Sequence, residues 1–336
     1  MRVVITGAAG FIGQTLTAAL LDAGRLRSLR GGGSSVDELV LVDRAFEAND
    51  ISIDRRSDVL VRRMPGNLAD AAFVQEIVDA RPDSIFHLAA ALTLDAEKES
   101  TEAYAVNVEA IRGLIAGVSA ATRFVFASSI AVFGGDIPPL VNDNERFSPQ
   151  TTYGAHKAIA ELLLSDATRK GRIDARILRL PIVLIRKGAN TPAVSDRIAA
   201  IVREPLAGRD VTCGLSPSTT MPVASAAAVA SALIKLHDVA EDSLPMSRAM
   251  NLPSLSVSVE EMVSATLRQR VESTLLGRVK FNHDEQLQAI VDGWPRAFVS
   301  ETATRLGISA DGSFDDVIRG YLAEEAGGAV RSSLAE

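Results

Sequence analysis

A tyrosine and a lysine near the middle of the chain have the spacing of a proton-transfer pair. Tyr153 and Lys157 are four positions apart, so on a helix their side chains lie on the same face. An ammonium ~4 Å from a phenolate stabilises the phenolate by ~4 kcal/mol at an effective dielectric of ~20. That interaction would bring the pKa of Tyr153 from about 10 towards about 7. We therefore expect Tyr153 to act as a general base near neutral pH.

Two serines supply the hydroxyls that such a pair needs. Ser128 and Ser129 end a predicted strand that starts at Arg123. The carboxyl ends of parallel strands meet at a ligand crevice, so both hydroxyls should face substrate there. We expect Ser129 to hydrogen-bond the substrate hydroxyl and Tyr153 to remove its proton. Lys157 would also bind the ribose of a nicotinamide cofactor.

A glycine-rich turn near the N-terminus predicts a site for the pyrophosphate of that cofactor. The turn follows the apolar residues 2–6 and opens a helical pattern at about 11–22. Gly7 permits the tight turn, Gly10 lets the backbone approach the phosphates, and Gly13 lets the helix pack on the sheet. The anion would lie at the helix N-terminus, where N–H groups are unpaired. The expected contacts are Gly7, Gly10, Phe11, Ile12 and Gly13.

Asp43, at the end of the second predicted strand, indicates which nicotinamide cofactor is bound. A carboxylate there accepts hydrogen bonds from the adenosine ribose and repels the extra phosphate of NADP, so we expect NAD. Asp43 lies further beyond Gly13 than the usual ~20 residues. The glycine-serine run at 31–35 explains the excess, because it predicts a flexible surface insertion in the first crossover.

Further cofactor contacts are expected where the remaining strands end. The Asn67 amide is placed to read the adenine edge, although Asp70 nearby is equally suited to cap the next helix. Asn107, within an alanine-rich helical pattern, has two open interpretations: it holds a water that relays the proton, or it bonds locally to backbone and bends the helix. The full set of these contacts is Asn67, Leu68, Ala89, Ala90, Asn107 and Pro181.

The order of elements predicts an α/β protein with a Rossmann-like, doubly wound parallel sheet. The strands read as nearly continuous apolar runs, as expected when both faces of a sheet are buried. We predict strands at about 2–6, 39–43, 59–63, 84–88, 123–128 and 174–180, and helices at about 11–22, 70–80, 97–121, 153–170 and 194–206.

The alternation of strands and helices stops after Leu180, which predicts a second, smaller and mostly helical lobe. We expect residues 1–180, with a returning segment at about 219–252, to form the dinucleotide-binding domain. Residues 181–218 and 253–330 would then form the substrate-binding lobe.

The charge, cysteine and histidine content of the chain limits the kinds of partner and metal that we expect it to bind. The 336 residues carry a net charge of −7 and no sustained Lys/Arg run, so neither nucleic acid nor an anionic membrane is an expected partner. The single cysteine, Cys213, and four histidines without metal-ligand spacing predict no disulfide and no metal site. With no charged leader and no apolar run of ~20 residues, we expect a cytoplasmic protein.

Together these motifs resemble those of the extended short-chain dehydrogenase/reductase family, also called the sugar epimerase/dehydratase family. The resemblance covers nearly the whole chain, including the three glycines, the stretch 128–134, the Tyr/Lys pair, and closing patterns at 293–295 and 314–318. The resemblance implies NAD as cofactor and a catalytic triad of Ser129, Tyr153 and Lys157. It also implies a homodimer in which the two long helices at about 97–121 and 153–170 form a four-helix bundle with their copies.

Within the family, the N-terminal opening and the segment 179–188 resemble members that oxidise the 2-hydroxyl of a small sugar acid. A guanidinium matches a carboxylate bidentately, so an arginine of the second lobe is the expected partner. Arg197 is the first candidate and Arg186 the second, although for each a surface position is the plainer interpretation. Thr93 is a candidate contact for a substrate hydroxyl.

Two other functions remain open at this point. An NAD-dependent epimerase, or a uronate dehydrogenase, acting on a sugar or nucleotide sugar would use the same triad. A non-catalytic NAD(H)-sensing regulator on the same fold would need no Tyr/Lys pair, so the presence of that pair argues against it. Dehydration is disfavoured because Ile130 and Ala131 stand where dehydratases of the family carry an Asp-Glu pair.

Overall fold

The computed structural model of the protein describes residues 1–28, 31–46, 58–185, 194–269 and 275–332, with side chains to residue 325. The strands are β1 (Arg2–Thr6), β2 (Arg25–Arg27), β3 (Gly33–Ser35), β4 (Glu38–Asp43), β5 (Leu60–Pro65), β6 (Ser84–His87), β7 (Arg123–Ser129), β8 (Leu140–Val141), β9 (Asp174–Leu180), β10 (Ile182–Leu184), β11 (Val211–Cys213), β12 (Thr220–Ser225), β13 (Ala249–Asn251), β14 (Leu255–Ser258), β15 (Val279–Phe281) and β16 (Ala297–Phe298).

The helices are α1 (Phe11–Ala23), α2 (Ala71–Asp79), α3 (Thr93–Lys98), α4 (Ser100–Tyr104), α5 (Ala110–Gly117), α6 (Thr152–Arg169), α7 (Val194–Leu206), α8 (Ala226–Asp238), α9 (Val259–Arg268), α10 (Glu285–Asp292), α11 (Glu301–Arg305) and α12 (Phe314–Ser332). A π-helical segment, Ala105–Glu109, joins α4 to α5, and a 3-10 turn, Ile130–Val132, follows β7. Within the described ranges, no helix is both long and apolar enough to cross a bilayer.

Seven parallel strands form the central sheet, in the order β13-β9-β7-β6-β1-β4-β5. The six strands predicted from the sequence are all present in it, and β13 adds an edge strand by pairing with β9. The predicted doubly wound α/β fold is confirmed. Its reversal of strand order places the ends of β1, β6 and β7 beside one another.

Helices cover both faces of the sheet, which explains the continuous apolar runs in the strands. Val3 and Ile5 of β1 face a core formed with α1 and α8, whereas Val4 between them faces a second core formed with α2, α5 and α6. All three side chains are fully buried, because alternate residues of a strand point to opposite faces and neither face meets solvent.

A third buried cluster lies outside the large sheet. It packs helices α7, α9, α10 and α12 against a three-stranded sheet in the order β10-β12-β14. Segment 219–252 is shared: β12 joins this small sheet, while α8 packs on the large sheet and β13 pairs within it.

One sequence expectation was wrong in detail. The single helix predicted at 97–121 is divided into the end of α3, α4, a π-helical segment and α5, and Asn107, within the π-helical segment, bonds through its side chain to the backbone of Ala91. Over its described residues, the predicted surface insertion is an antiparallel ribbon of β2 and β3, with Leu26 buried against the core.

The tight turn after β1 predicts that alanine is more destabilising at Gly7 than at Gly24. Gly7 has φ +73°, and a Cβ there would lie 2.7 Å from the backbone nitrogen of Ala89, whereas Gly24 has φ +60° with open space around it. We expect Gly24→Ala to cost ~1 kcal/mol of unfolding free energy through backbone strain alone. Gly7→Ala should cost ~1–3 kcal/mol more, because the end of β6 must also move.

Urea unfolding of the two variants and the parent protein measures this difference. Gly24→Ala is the matched control, since it shares the left-handed backbone but not the contact. Equal losses of stability in both variants would contradict the close approach of β1 and β6.

Candidate active site

The glycine turn between β1 and α1 forms a cradle that side chains would fill. A Cβ on Gly13 would lie only 2.1 Å from the carbonyl oxygen of Gly7, so glycine is required where α1 packs on the turn. Gly10 is the exposed N-cap residue of α1. Because glycine has no side chain that could accept a hydrogen bond there, the N–H groups of Phe11 and Ile12 remain available at the helix N-terminus. This arrangement fits a bound pyrophosphate.

Asp43 lies beside this turn at the end of β4. One carboxylate oxygen accepts the backbone N–H of Ala9 at 2.9 Å, which orients the group towards the glycine turn. In the next loop, Asp70 caps α2 by accepting from Ala72, as one of the two expectations had it. The Asn67 side-chain oxygen accepts from Ala69, so its amide N–H groups remain the part that can meet an adenine.

The loop after β6 is held against the cofactor turn. Ala89 donates from its backbone to Thr6, and Asn107 both accepts from the N–H of Ala91 and donates to its carbonyl, each at 2.9 Å. Asn107 therefore fixes the backbone of the 89–91 loop. These bonds reach a loop 16 residues away, so the local backbone bond, the second of the two interpretations given above for Asn107, is wrong. Leu68 is buried under the β5 loop, Ala90 is partly exposed in the 89–91 loop, and Pro181 is buried directly after β9.

Ser129, Tyr153 and Lys157 are brought together at the carboxyl end of β7. The Ser129 hydroxyl lies close enough to the Tyr153 phenol to lower its pKa, and it accepts from the N–H of Ala131 at 3.1 Å. Lys157 is buried and donates from Nζ to the carbonyl oxygen of Ala127 at 2.7 Å. Its Nζ lies 5.7 Å from the centre of the Tyr153 ring.

The expected fall in the Tyr153 pKa is wrong for the free protein. Burial raises the pKa of Tyr153 to about 12, and the Ser129 hydrogen bond opposes this only in part. The reason is that burial also lowers the pKa of Lys157 to about 7, so the ammonium is only partly charged at neutral pH. Lys157 moreover donates to Ala127 and lies over the ring of Phe126, 4.4 Å from its centre, instead of over the phenol oxygen.

Ser128 does not share the environment of Ser129. Its hydroxyl donates to the Glu161 carboxylate at 2.5 Å, within a buried group that also includes Arg179. The structure thus commits Ser128 to the interior and not to substrate. Sequence reasoning missed Glu161, although a signal existed: it follows Lys157 by four residues, on the same helical face as Tyr153.

The predicted substrate contacts are dispersed. Thr93 lies in the first turn of α3, just past the 89–91 loop. Arg197 is exposed on α7 and forms an ion pair with Asp284 at 2.7 Å, so it would have to exchange that partner for a substrate carboxylate. Arg186 lies outside the described residues.

The glycine turn and the cluster of Ser129, Tyr153 and Lys157 lie at the carboxyl ends of parallel strands. This arrangement is that of a dinucleotide-dependent enzyme, and sequence comparison agrees. The pattern of the NAD dependent epimerase/dehydratase family matches residues 3–245, so the chain belongs to that family. NAD is the cofactor of the family, and the uncapped helix N-terminus and glycine cradle of this chain fit it.

Particular relatives are similar over nearly the full length. D-erythronate dehydrogenase of Cupriavidus necator is 38% identical, over 97% of this chain and 99% of that protein. D-erythronate dehydrogenase of Haemophilus influenzae is 35% identical, over 96% and 99%. The crystal structure of the nucleoside-diphosphate-sugar epimerase from Agrobacterium tumefaciens superimposes on this chain with a TM-score of 0.87. The two sequences are 31% identical, and the superposition covers 98% of this chain and 95% of that one.

The raised pKa of Tyr153 can be measured in the cofactor-free protein. With a pKa of about 12, Tyr153 should be only about 1% ionised at about pH 10, where an ordinary tyrosine is about half ionised. The ultraviolet absorbance of phenolate should therefore be the same in the parent and in Tyr153→Phe at that pH. A variant that lost half a tyrosine equivalent of phenolate signal would show that burial does not control this group.

Proposed function

We propose that the protein oxidises the 2-hydroxyl of a small sugar acid such as D-erythronate to the 2-oxo acid, with NAD as acceptor. The observation that carries the proposal is the proximity of the Ser129 hydroxyl, the Tyr153 phenol and the Lys157 amine at the end of β7. It occurs in a chain that is 35–38% identical to D-erythronate dehydrogenases from end to end.

Each residue of the candidate triad has a distinct role in this proposal. Ser129 donates to the substrate oxygen and holds the reacting hydroxyl against the Tyr153 phenol. Tyr153 must first lose its own phenol proton; the phenolate then accepts the hydroxyl proton as the carbonyl forms, and the Lys157 ammonium stabilises that phenolate before the transfer. NAD, when bound, accepts the hydride from the substrate carbon.

Most of the other residues proposed for the cofactor follow the carboxyl ends of strands in the central sheet. The glycine turn and the N-terminus of α1 would hold the pyrophosphate, Asp43 the adenosine ribose, and Asn67 with Leu68 the adenine. Ala89, Ala90 and Pro181 would lie against the nicotinamide half. Asn107 is proposed to act through the 89–91 loop that it anchors.

The substrate carboxylate is proposed to bind the second lobe, formed by residues 181–218 and 253–330. Arg197 remains our candidate partner, because it is the predicted arginine that the structure describes there and its Asp284 partner is exposed. A substrate carboxylate would replace the Asp284 carboxylate on the Arg197 guanidinium, whose fork matches a carboxylate bidentately.

An NAD-dependent epimerase is the second candidate function. The Agrobacterium tumefaciens structure with that title shares the fold over 98% of this chain, and an epimerase would use the same triad. It would return the hydride to its substrate, so no NADH would accumulate.

A spectrophotometric assay for NADH separates the two functions. We expect NADH to form with D-erythronate, and to form poorly when NADP replaces NAD, because Asp43 repels the extra phosphate. Tyr153→Phe should lower kcat by about 10²–10⁴-fold, since it removes the general base. Tyr321→Phe, a tyrosine of α12 in the second lobe, is the control and should retain activity.

The alternative has a clear signature in the same experiment. Absence of NADH with erythronate, threonate and uronates, together with epimerisation of a UDP-sugar, would overturn the proposed dehydrogenase. Unchanged activity of Tyr153→Phe would overturn the proposed proton transfer.

We further propose that the protein is a homodimer joined through α4, the π-helical segment, α5 and α6. Exposed apolar side chains on this surface support the proposal: Tyr104 on α4, and Ile159 and Leu162 one turn apart on α6. Burying them between two copies would remove apolar area from water. The arrangement corresponds to the four-helix bundle implied by the family resemblance.

Light scattering on two glutamate variants tests the dimer. Leu162 is 60% exposed on α6 and Leu267 is 57% exposed on α9, so both substitutions alter a similar exposed leucine. The parent and Leu267→Glu should have the mass of a dimer, whereas Leu162→Glu should be monomeric because a buried charge is costly. A monomeric parent, or a dimeric Leu162→Glu, would contradict this interface.

A cytoplasmic location is also proposed. Cys213 is the single cysteine of the sequence and lies buried in the core of the second lobe. The fold therefore relies on no disulfide, which suits a reducing compartment.

A further inference from the structure

A buried ion pair lies directly beneath the candidate triad and has no role in the chemistry described above. The Glu161 carboxylate accepts three hydrogen bonds from the Arg179 guanidinium, at 2.9, 3.0 and 3.1 Å, and a fourth from Ser128. Glu161 is 2% exposed and Arg179 is 4% exposed. Buried charges are retained only where they are paired in this way, because desolvation is costly.

The pair joins the two elements that carry the triad. Glu161 is one helical turn beyond Lys157 on α6, and Ser128 immediately precedes Ser129 on β7. Arg179 stands opposite Ser128 in the register of β9 with β7. The carboxylate therefore connects the helix of Tyr153 to the strand end of Ser129.

Arg179 is itself fixed from further directions. Its guanidinium lies 5.2 Å from the ring centres of both Phe133 and Phe147, and it donates to the carbonyl of Asp143 at 3.1 Å. The Asp143 carboxylate in turn accepts from the N–H of Asn251 and from the Ser300 hydroxyl. The ion pair is thus anchored to β13 and to the N-terminus of α11.

We propose that Glu161 is a positioning residue of the active site, whose buried carboxylate sets the placement of Tyr153 and Lys157 relative to Ser129. The inference rests on the proposed function, because it concerns the same triad. Glu161 touches neither the phenol nor the substrate position, so its influence passes through Ser128 and Lys157.

The charge of Glu161 adds an electrostatic role. Burial lowers the pKa of Lys157 to about 7, and the Glu161 carboxylate raises it, which preserves part of the ammonium. The other titratable groups around Lys157 are Tyr153 on the same helix and His87 on β6. His87 is neutral because burial lowers its pKa to about 3, and His156 on α6 faces Tyr104 instead.

The effect of Glu161 on the pKa of Lys157 determines the direction in which the pH profile of activity should move. Without the Glu161 charge the pKa of Lys157 falls further, so its ammonium is lost at lower pH. We expect Glu161→Gln to move the alkaline decline of kcat to lower pH, and to reduce kcat by about tenfold at about pH 8. The same displacement should appear in the pH profile of NADH affinity, measured by fluorescence.

Two further variants separate positioning from stability. Glu161→Gln leaves Arg179 buried without its partner and so should also unfold more easily. The double variant Glu161→Gln/Arg179→Gln removes both charges and should recover stability but keep the displaced pH profile, because Glu161 is the carboxylate that acts on Lys157. Asp174→Asn is the control: it breaks the buried pair with Arg176 at the opposite end of β9.

The pH profiles and stabilities of these variants distinguish a positioning role of Glu161 from a purely structural one. A displaced profile in both Glu161 variants, with reduced stability but an unchanged profile in Asp174→Asn, supports the inference. A parental profile in the folded Glu161 variants overturns it and leaves Glu161 a purely structural residue. If the parent protein forms no NADH from any acid, the proposed function fails, and the pH dependence of NADH affinity still decides the role of Glu161.

Discussion

The candidate active site depends on the contact between α6 and β7, which includes a hydrogen bond from the buried amine of Lys157 to the carbonyl oxygen of Ala127. This bond joins the two elements two residues before Ser129, and the hydrogen bond between Glu161 and Ser128 joins them again one residue further on. A neutral amine and an ammonium can both donate the bond to Ala127, so the geometry does not depend on the charge of Lys157. The reactivity of the site does depend on that charge.

Burial and charge act in opposite directions on the triad, and burial is the larger effect in the free protein. It raises the pKa of Tyr153 to about 12 and lowers that of Lys157 to about 7. In the free protein, burial thus favours the protonated phenol of Tyr153 and the neutral amine of Lys157. Deprotonation of Tyr153 must be coupled to changes in the occupied crevice, which differs from a tyrosine permanently poised near neutral pH.

The cofactor turn and the second lobe make different contributions to function. The turn is constrained by backbone contacts of Gly7 and Gly13 that leave little room for variation, and it fits the cofactor of the whole family. The same fold occurs in the nucleoside-diphosphate-sugar epimerase from Agrobacterium tumefaciens. It is also expected in the D-erythronate dehydrogenases that are similar to this chain. One fold can therefore host different activities, and the choice of substrate depends on particular side chains around the site and not on the sheet.

The sequence by itself determined the sheet, the cofactor turn and the order of the triad residues. These follow from local patterns: apolar runs buried on both faces, glycines where a Cβ would clash, and a four-residue spacing on one helix. The bond of Asn107 to Ala91, the hydrogen bond of Ser128 to Glu161 and the raised pKa of Tyr153 were decided by the tertiary structure. Each arises from partners distant in sequence, because hydrogen bonding and desolvation depend on what surrounds a group and not on its neighbours along the chain.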